Sequence, residues 1–292
     1  SRRTEGASGY ACPEGSQPRA TATAIGILHR ILCDGTQIAL CDPMADTFAS
    51  TTVGKAGLKL VGLYSLGEGA MKDVRRGAAV HHDRRLLRLG ELTPGALYLL
   101  DLGFYDHELF AAYDDADAYF VSRLKDNAVP LIKGFVQGVY DGRHAQGKRR
   151  DGELRYHRQV DVDVQLRVPS APEGTHPFRV VKRDVPGRDR HGTVLPDAES
   201  TACWYVTNLP RETWSVAMIS ALYLLHWSIE RIWRQAKSLA RMDQIKSCRP
   251  VVIFILLMSS LLLWALGNLL SDNFHRLFRT SCGGGCAAPT AT

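Results

Sequence analysis

No two of the seven cysteines form a C-x-x-C pair, which excludes a zinc ribbon, and their scattered positions exclude a disulfide framework. A secretory signal pattern is also missing: Ser1 to Ala20 is polar and rich in Gly, Ser, Arg and Pro, and is expected to be loosely ordered. Long apolar runs are scarce. The one candidate, Val251 to Leu266, falls short of the roughly 20 residues a membrane span needs unless Gly267 to Leu270 are added. Ser259, Ser260 and Asn268 interrupt it, so it is expected to be a core helix buried against a sheet, and no membrane is expected as a partner. Charge is not strongly one-sided either. With 36 basic and 30 acidic side chains the net charge is +6, which suits a polyanionic partner without requiring one.

A chain of 292 residues is long enough to bury a full core and to hold one large domain with an insertion, or two domains. Its basic residues are clustered at Arg75-Arg76, Arg84-Arg85, Arg88, Lys148-Arg149-Arg150 and along 182–190. Each cluster alone reads equally well as a solvated loop. Cys33 reads as a small buried residue, and Cys282 and Cys286 share a Gly-rich tail that admits a metal site or, more plainly, a disordered end. This cysteine usage fits a reducing cytoplasm.

The chemistry is concentrated between Tyr223 and Lys237. Tyr223, His226, Glu230 and Lys237 recur at i, i+3, i+7 and i+14, and so share one face of a helix expected from Trp214 to about Ala240. A carboxylate between two basic groups, with an aromatic nearby, is odd for a core helix and natural for a metal-dependent phosphodiester site. Such a site needs partner carboxylates. Two apolar runs lead into them: Ile27–Cys33 into Asp34-Gly35-Thr36, and Ala96–Leu100 into Asp101-Leu102-Gly103-Phe104. A carboxylate at a strand end followed by glycine is expected at a sheet rim. Three carboxylates suit hard divalent cations such as Mg²⁺ and Mn²⁺, which act as pairs about 3.5–4 Å apart in phosphoryl transfer. Taken singly, each residue has a plainer reading: Asp-Gly is a turn signal, and Glu230 can pair with Arg234 at i+4.

Together these motifs resemble the DDE transposases of bacterial insertion sequences, in the branch with a Y-(2)-R-(3)-E-(6)-K signature, the IS-four family. Asp34-Gly35-Thr36 resembles the first aspartate motif, and Asp101-Leu102-Gly103-Phe104-Tyr105-Asp106 the second. Tyr119 to Lys125 resembles the basic strand that follows, and Tyr223 to Lys237 the signature. The likeness runs from about residue 25 to 270. His226 stands where the family has arginine. Family members carry a DNA-binding region before the first aspartate, and scarcely thirty residues precede it here, so the chain is expected to be an N-terminally truncated catalytic region.

The resemblance implies an α/β fold, a ribonuclease-H-like mixed sheet with flanking helices, interrupted by a mostly β insertion. The expected division is a loosely ordered segment 1–24, a first part of the core 25–127, a β-rich insertion 128–200, a second part 201–270 with the signature helix, and a flexible tail 271–292. Alternation in Val160 to Leu166 supports half-buried strands within the insertion. By the same resemblance Asp34, Asp101 and Glu230 are catalytic and hold two Mg²⁺ ions, with Mn²⁺ as a substitute. Arg123, Lys125, Tyr223, His226 and Lys237 contact DNA phosphates. Trp204 is a DNA contact that stacks on a displaced base, or else a core residue. His226 admits two readings, a protonated phosphate contact or a neutral hydrogen-bonding residue. The implied activity is hydrolysis at element ends followed by strand transfer, by a homodimer on double-stranded DNA in the bacterial cytoplasm. A nuclease without strand transfer and an inactive DNA-binding remnant are the alternatives.

Overall fold

The computed structural model describes residues 29–87, 92–128, 130–135, 159–185, 201–239 and 241–282. The expected loose N-terminal segment, Arg88, the Lys148-Arg149-Arg150 cluster, most of the basic run beyond residue 185 and Cys286 lie outside the described residues. Among the described residues nine strands form one sheet in the order β3-β2-β1-β4-β5-β9-β8-β7-β6. They are β1 (Arg30–Leu40), β2 (Ala56–Ser65), β3 (Ala70–Ala78), β4 (Leu97–Leu100), β5 (Tyr119–Arg123), β6 (Leu131–Phe135), β7 (Gln159–Arg167), β8 (Thr175–Val185) and β9 (Thr201–Thr207). The helices are α1 (His107–Asp115), α2 (Val216–Tyr223), α3 (Trp227–Leu239) and α4 (Pro250–Cys282).

β1, β2 and β3 form an antiparallel meander, and β4 and β5 run parallel to β1 and to each other. The strands of the 128–200 region extend this same sheet, because β9 pairs with both β5 and β8. β4 is buried at every position, as a short parallel strand covered on both faces must be. Alternation along the other strands separates two cores. Leu32, Leu58, Leu60, Leu97, Leu99 and Val121 face α2, α3 and α4, whereas Ile31, Cys33, Tyr98, Leu100 and Phe120 face α1. α1 begins at Asp106, whose side chain accepts from the Glu108 N–H and caps the helix.

Three expectations need correction. Asp34 is not at the end of its strand. β1 continues through Gly35 to Leu40, paired with β2 throughout, because Thr36, Ile38 and Leu40 keep the buried alternation that a turn would break. The long helix expected from Trp214 is divided: α2 is capped by Ser215, and a 3₁₀ turn, Leu224–His226, joins it to α3. The apolar segment from residue 251 is helical, but it is not buried all round. Among the described residues of α4, the apolar side chains buried are Ile253, Leu257 and Trp264, with Phe254 and Leu261 partly so. That is a single stripe on the core. Val251, Ile255, Leu262, Leu263, Leu269 and Leu270 are exposed, because α4 meets the body along one side only. Among the described residues it is the one helix long and apolar enough to cross a membrane. It also extends to Cys282, through residues expected to belong to the tail.

Candidate active site

The parallel register of β1 and β4 puts Cys33 opposite Leu100, and the next residue on each strand is an aspartate. β4 ends there, while β1 goes on. Asp34 and Asp101 therefore stand side by side where the sheet loses a strand, on the face covered by α2 and α3. Asp101 turns the chain into the 3₁₀ turn Leu102–Phe104, and the Gly35 N–H donates to Asp34 Oδ1 at 2.7 Å.

Glu230 arrives from above. α3 seats on the sheet through Ile229, Trp233 and Ala236, all nearly fully buried, at the i, i+4, i+7 spacing of one helix stripe. The seat exists because Gly62, directly opposite Asp34 on β2, has no side chain. A Cβ there would lie 2.5 Å from Trp233 Cζ2, so the indole rests on the strand beside Asp34. Glu230, Arg234 and Lys237 then occupy the adjoining flank and, with Asp34, Thr36 and Trp233, line a groove of 290 Å³. No ion pair joins Glu230 to Arg234 among the described residues, so the plain surface salt bridge is not what orders this face.

Asp83 is a fourth carboxylate that sequence reasoning missed. It lies on the opposite face of the sheet, ion-paired to Lys59 at 2.6 Å. Its Oδ2 sits 2.7 Å from where a Cβ would stand on either Gly35 or Gly103. This is the physical reason both aspartate motifs carry a glycine: one carboxylate fills the space beneath both. Only the bare glycines hinted at it in the sequence. Burial is the largest influence on Asp34; the Gly35 N–H opposes it, the charges of Asp101, Glu230 and Asp83 add to it, and the carboxyl is lifted from 3.8 to about 7.

Tyr223 and His226 are also brought here, but inward. Tyr223 is 7% and His226 3% exposed. The Tyr223 hydroxyl donates to the Leu100 carbonyl at 3.3 Å, and His226 Nε2 lies 3.1 Å from the Cys33 carbonyl. Burial and the charge of Asp101 hold the Tyr223 phenol well above its ordinary range, with Arg123 opposing. Arg123 is exposed at the end of β5, and Lys125 lies over the Tyr105 ring at 5.2 Å. Lys237 is lowered by burial, opposed by Asp243 and Asp34. Trp204 is half-buried on the α1 face of β9, across the sheet from Asp34 and Glu230, with Lys182 Nζ 5.8 Å from its ring. Cys33 is fully buried and its thiol strongly raised by burial.

Residues 28–266 match the transposase DDE domain. The chain belongs to that family. Over 223 residues it is 25% identical to the transposase for insertion sequence element IS231F of Bacillus thuringiensis subsp. israelensis, covering 67% of this chain and 46% of that protein. The chain thus spans about half the length of this curated relative. Among solved structures, a piggyBac transposase synaptic complex with hairpin DNA aligns over 90% of this chain and 59% of its own at 8% identity, with a TM-score of 0.32. That likeness is too slight to bear on the fold. DDE domains of this family generally use divalent metal ions. Asp34, Asp101 and Glu230 would offer carboxylate oxygens alone, which suit a hard cation, and such a cation would relieve the charge repulsion that Asp101 and Glu230 exert on Asp34. Among the described residues no three of them are close enough to hold one ion in common, so the chemistry of the donor set fits a metal while a closed cage is not preformed.

Proposed function

We propose that the chain is the catalytic region of a DNA transposase of the IS-four type, which cuts phosphodiester bonds at the ends of an insertion sequence and joins the freed 3′-OH to target DNA. The reading is carried by one observation: in a chain of the transposase DDE family, Asp34 shares a groove with Glu230 while Asp101 follows the residue paired with Cys33 on the adjacent parallel strand. The 3-2-1-4-5 strand order, with three antiparallel strands followed by two parallel ones, supports a ribonuclease-H-like core.

Asp34, Asp101 and Glu230 would hold the divalent ions, two Mg²⁺ or Mn²⁺. Bound there, the ions would supply charge neutralisation and activation of the attacking oxygen at neutral pH. Asp34 lines the groove from the sheet, with Asp101 beside it on the neighbouring strand, and Glu230 lines it from α3. Lys237 and Arg234, on the same flank, face the groove and neutralise phosphate charge, and Arg123 and Lys125 extend that basic rim past β5. The protein's contribution is positioning and electrostatic stabilisation, as phosphoryl transfer requires. Double-stranded DNA is the partner, synapsis of two ends calls for a homodimer on DNA, and the site of action is the bacterial cytoplasm.

The test is Mg²⁺-dependent cleavage and joining of element-end duplexes by the purified protein and by Asp34→Ala, Asp101→Ala and Glu230→Ala. Each substitution should abolish both steps while leaving salt-dependent DNA binding largely intact. Cleavage of pre-cut and uncut ends without any joining would make the protein a nuclease, and full activity of any variant would remove that residue from the site.

A further inference from the structure

The two aspartates are adjacent through the backbone, so whatever fixes the backbone of β1 relative to β4 at this point fixes the distance between their carboxylates. Two side chains do this from α2 and the turn after it. Tyr223 grips the carbonyl of Leu100, the residue before Asp101, and His226 grips that of Cys33, the residue before Asp34. Their rings are stacked at an interplanar angle of 7° with centroids 5.6 Å apart. The 3₁₀ turn accounts for this, because residues i and i+3 eclipse in a 3₁₀ helix whereas they are offset in an α-helix. The ring separation is close to the roughly 4.8 Å spacing of neighbouring strands, so each ring tip meets its own strand. A carbonyl only accepts, so Nε2 carries the hydrogen of that bond.

We infer that Tyr223 and His226 are positioning residues, a stacked clamp that sets the separation of Asp34 and Asp101 and thereby the affinity of the carboxylate site for divalent metal, with no contact to DNA phosphate. The inference rests on the proposed metal site and deepens it. Partners that orient metal ligands from behind are worth about 10–100-fold in metal affinity.

The experiment titrates Mn²⁺ into the purified full chain, following the free-ion signal by electron paramagnetic resonance, for wild type, Tyr223→Phe, His226→Leu, His226→Gln and Asp34→Asn. Binding of each protein to a fixed duplex is measured in parallel at several salt concentrations. Asp34→Asn identifies the site: wild-type binding that Asp34→Asn does not weaken would remove the metal reading itself, and the clamp with it. If the site is present, Tyr223→Phe and His226→Leu should each weaken Mn²⁺ about 10-fold or more, with duplex affinity and salt slope unchanged. His226→Gln, whose amide can donate from nearly the same place, should recover most of the loss. Wild-type Mn²⁺ affinity in Tyr223→Phe or His226→Leu overturns the clamp while leaving the metal site standing. A salt slope reduced by about one on removing His226, with Mn²⁺ affinity intact, would make it a phosphate contact instead. Tyr223→Phe removes one oxygen only, so it decides the matter even if His226→Leu fails to fold.

Discussion

Stripped of divalent metal, the protein should become less stable as pH rises from mildly acidic to neutral. Asp34 is the cause. Its carboxyl is lifted from 3.8 to about 7, by burial first and then by the charges of Asp101, Glu230 and Asp83 against the opposing Gly35 N–H. The folded state therefore holds this proton more tightly than the unfolded chain. For an acid raised in this way, the stabilisation is complete below the unfolded value and is lost as pH climbs to the folded one. A difference from 3.8 to about 7 corresponds to at most about 4 kcal/mol. Water in the groove screens part of it, so about 2–4 kcal/mol is expected. Urea unfolding in the presence of a chelator, for wild type and Asp34→Asn, isolates this contribution from all other titrating groups. Between about pH 4.5 and 7.5 the wild type should lose about 2–4 kcal/mol more than the variant. Adding Mg²⁺ at the upper pH should restore the wild type and leave Asp34→Asn nearly unmoved. Parallel pH dependence of the two proteins would show that Asp34 is neither desolvated nor crowded by charge.

The Asp83–Lys59 pair and the glycines above it make a second case. Asp83→Ala leaves Lys59 buried without its partner and should cost about 3–5 kcal/mol in chemical unfolding, much of it recovered in the Lys59→Met background. Gly35→Ala should cost about 1–3 kcal/mol, since its Cβ meets Asp83; a neutral result would mean that Asp83 moves freely aside. In α4, Leu257→Ala should destabilise by about 2–5 kcal/mol and Leu263→Ala by less than about 0.5, because the first is 0% and the second 66% exposed. Equal losses at both positions would mean that the outer face is covered. Lys237→Ala should weaken duplex binding and lower the salt slope by about one without changing Mn²⁺ affinity; an unchanged slope would take Lys237 off the phosphate path.

The sequence by itself determined the local elements and the identity of the chemical groups. Alternation in Val160 to Leu166 falls within β7, the apolar run Ala96–Leu100 contains β4, and the motifs point to Asp34, Asp101 and Glu230, because strand alternation and motif spacing are properties of neighbouring residues. Asp-Gly after an apolar run looked like a strand end, yet the pairing partner β2 carries β1 on to Leu40. Whether a strand stops is decided by what pairs with it, and local sequence does not contain that. The same holds for Asp83, far from either motif until the sheet brings Gly35 and Gly103 over it. It holds for Tyr223 and His226, whose side-chain chemistry suited a phosphate but whose helix joint turns them onto two carbonyls. α4 differs in kind: its apolar sequence reads as core, and only the shape of the body it packs on leaves most of that surface uncovered. Composition sets how much a helix prefers burial, while the surfaces opposite it, drawn from distant parts of the chain, set how much it receives.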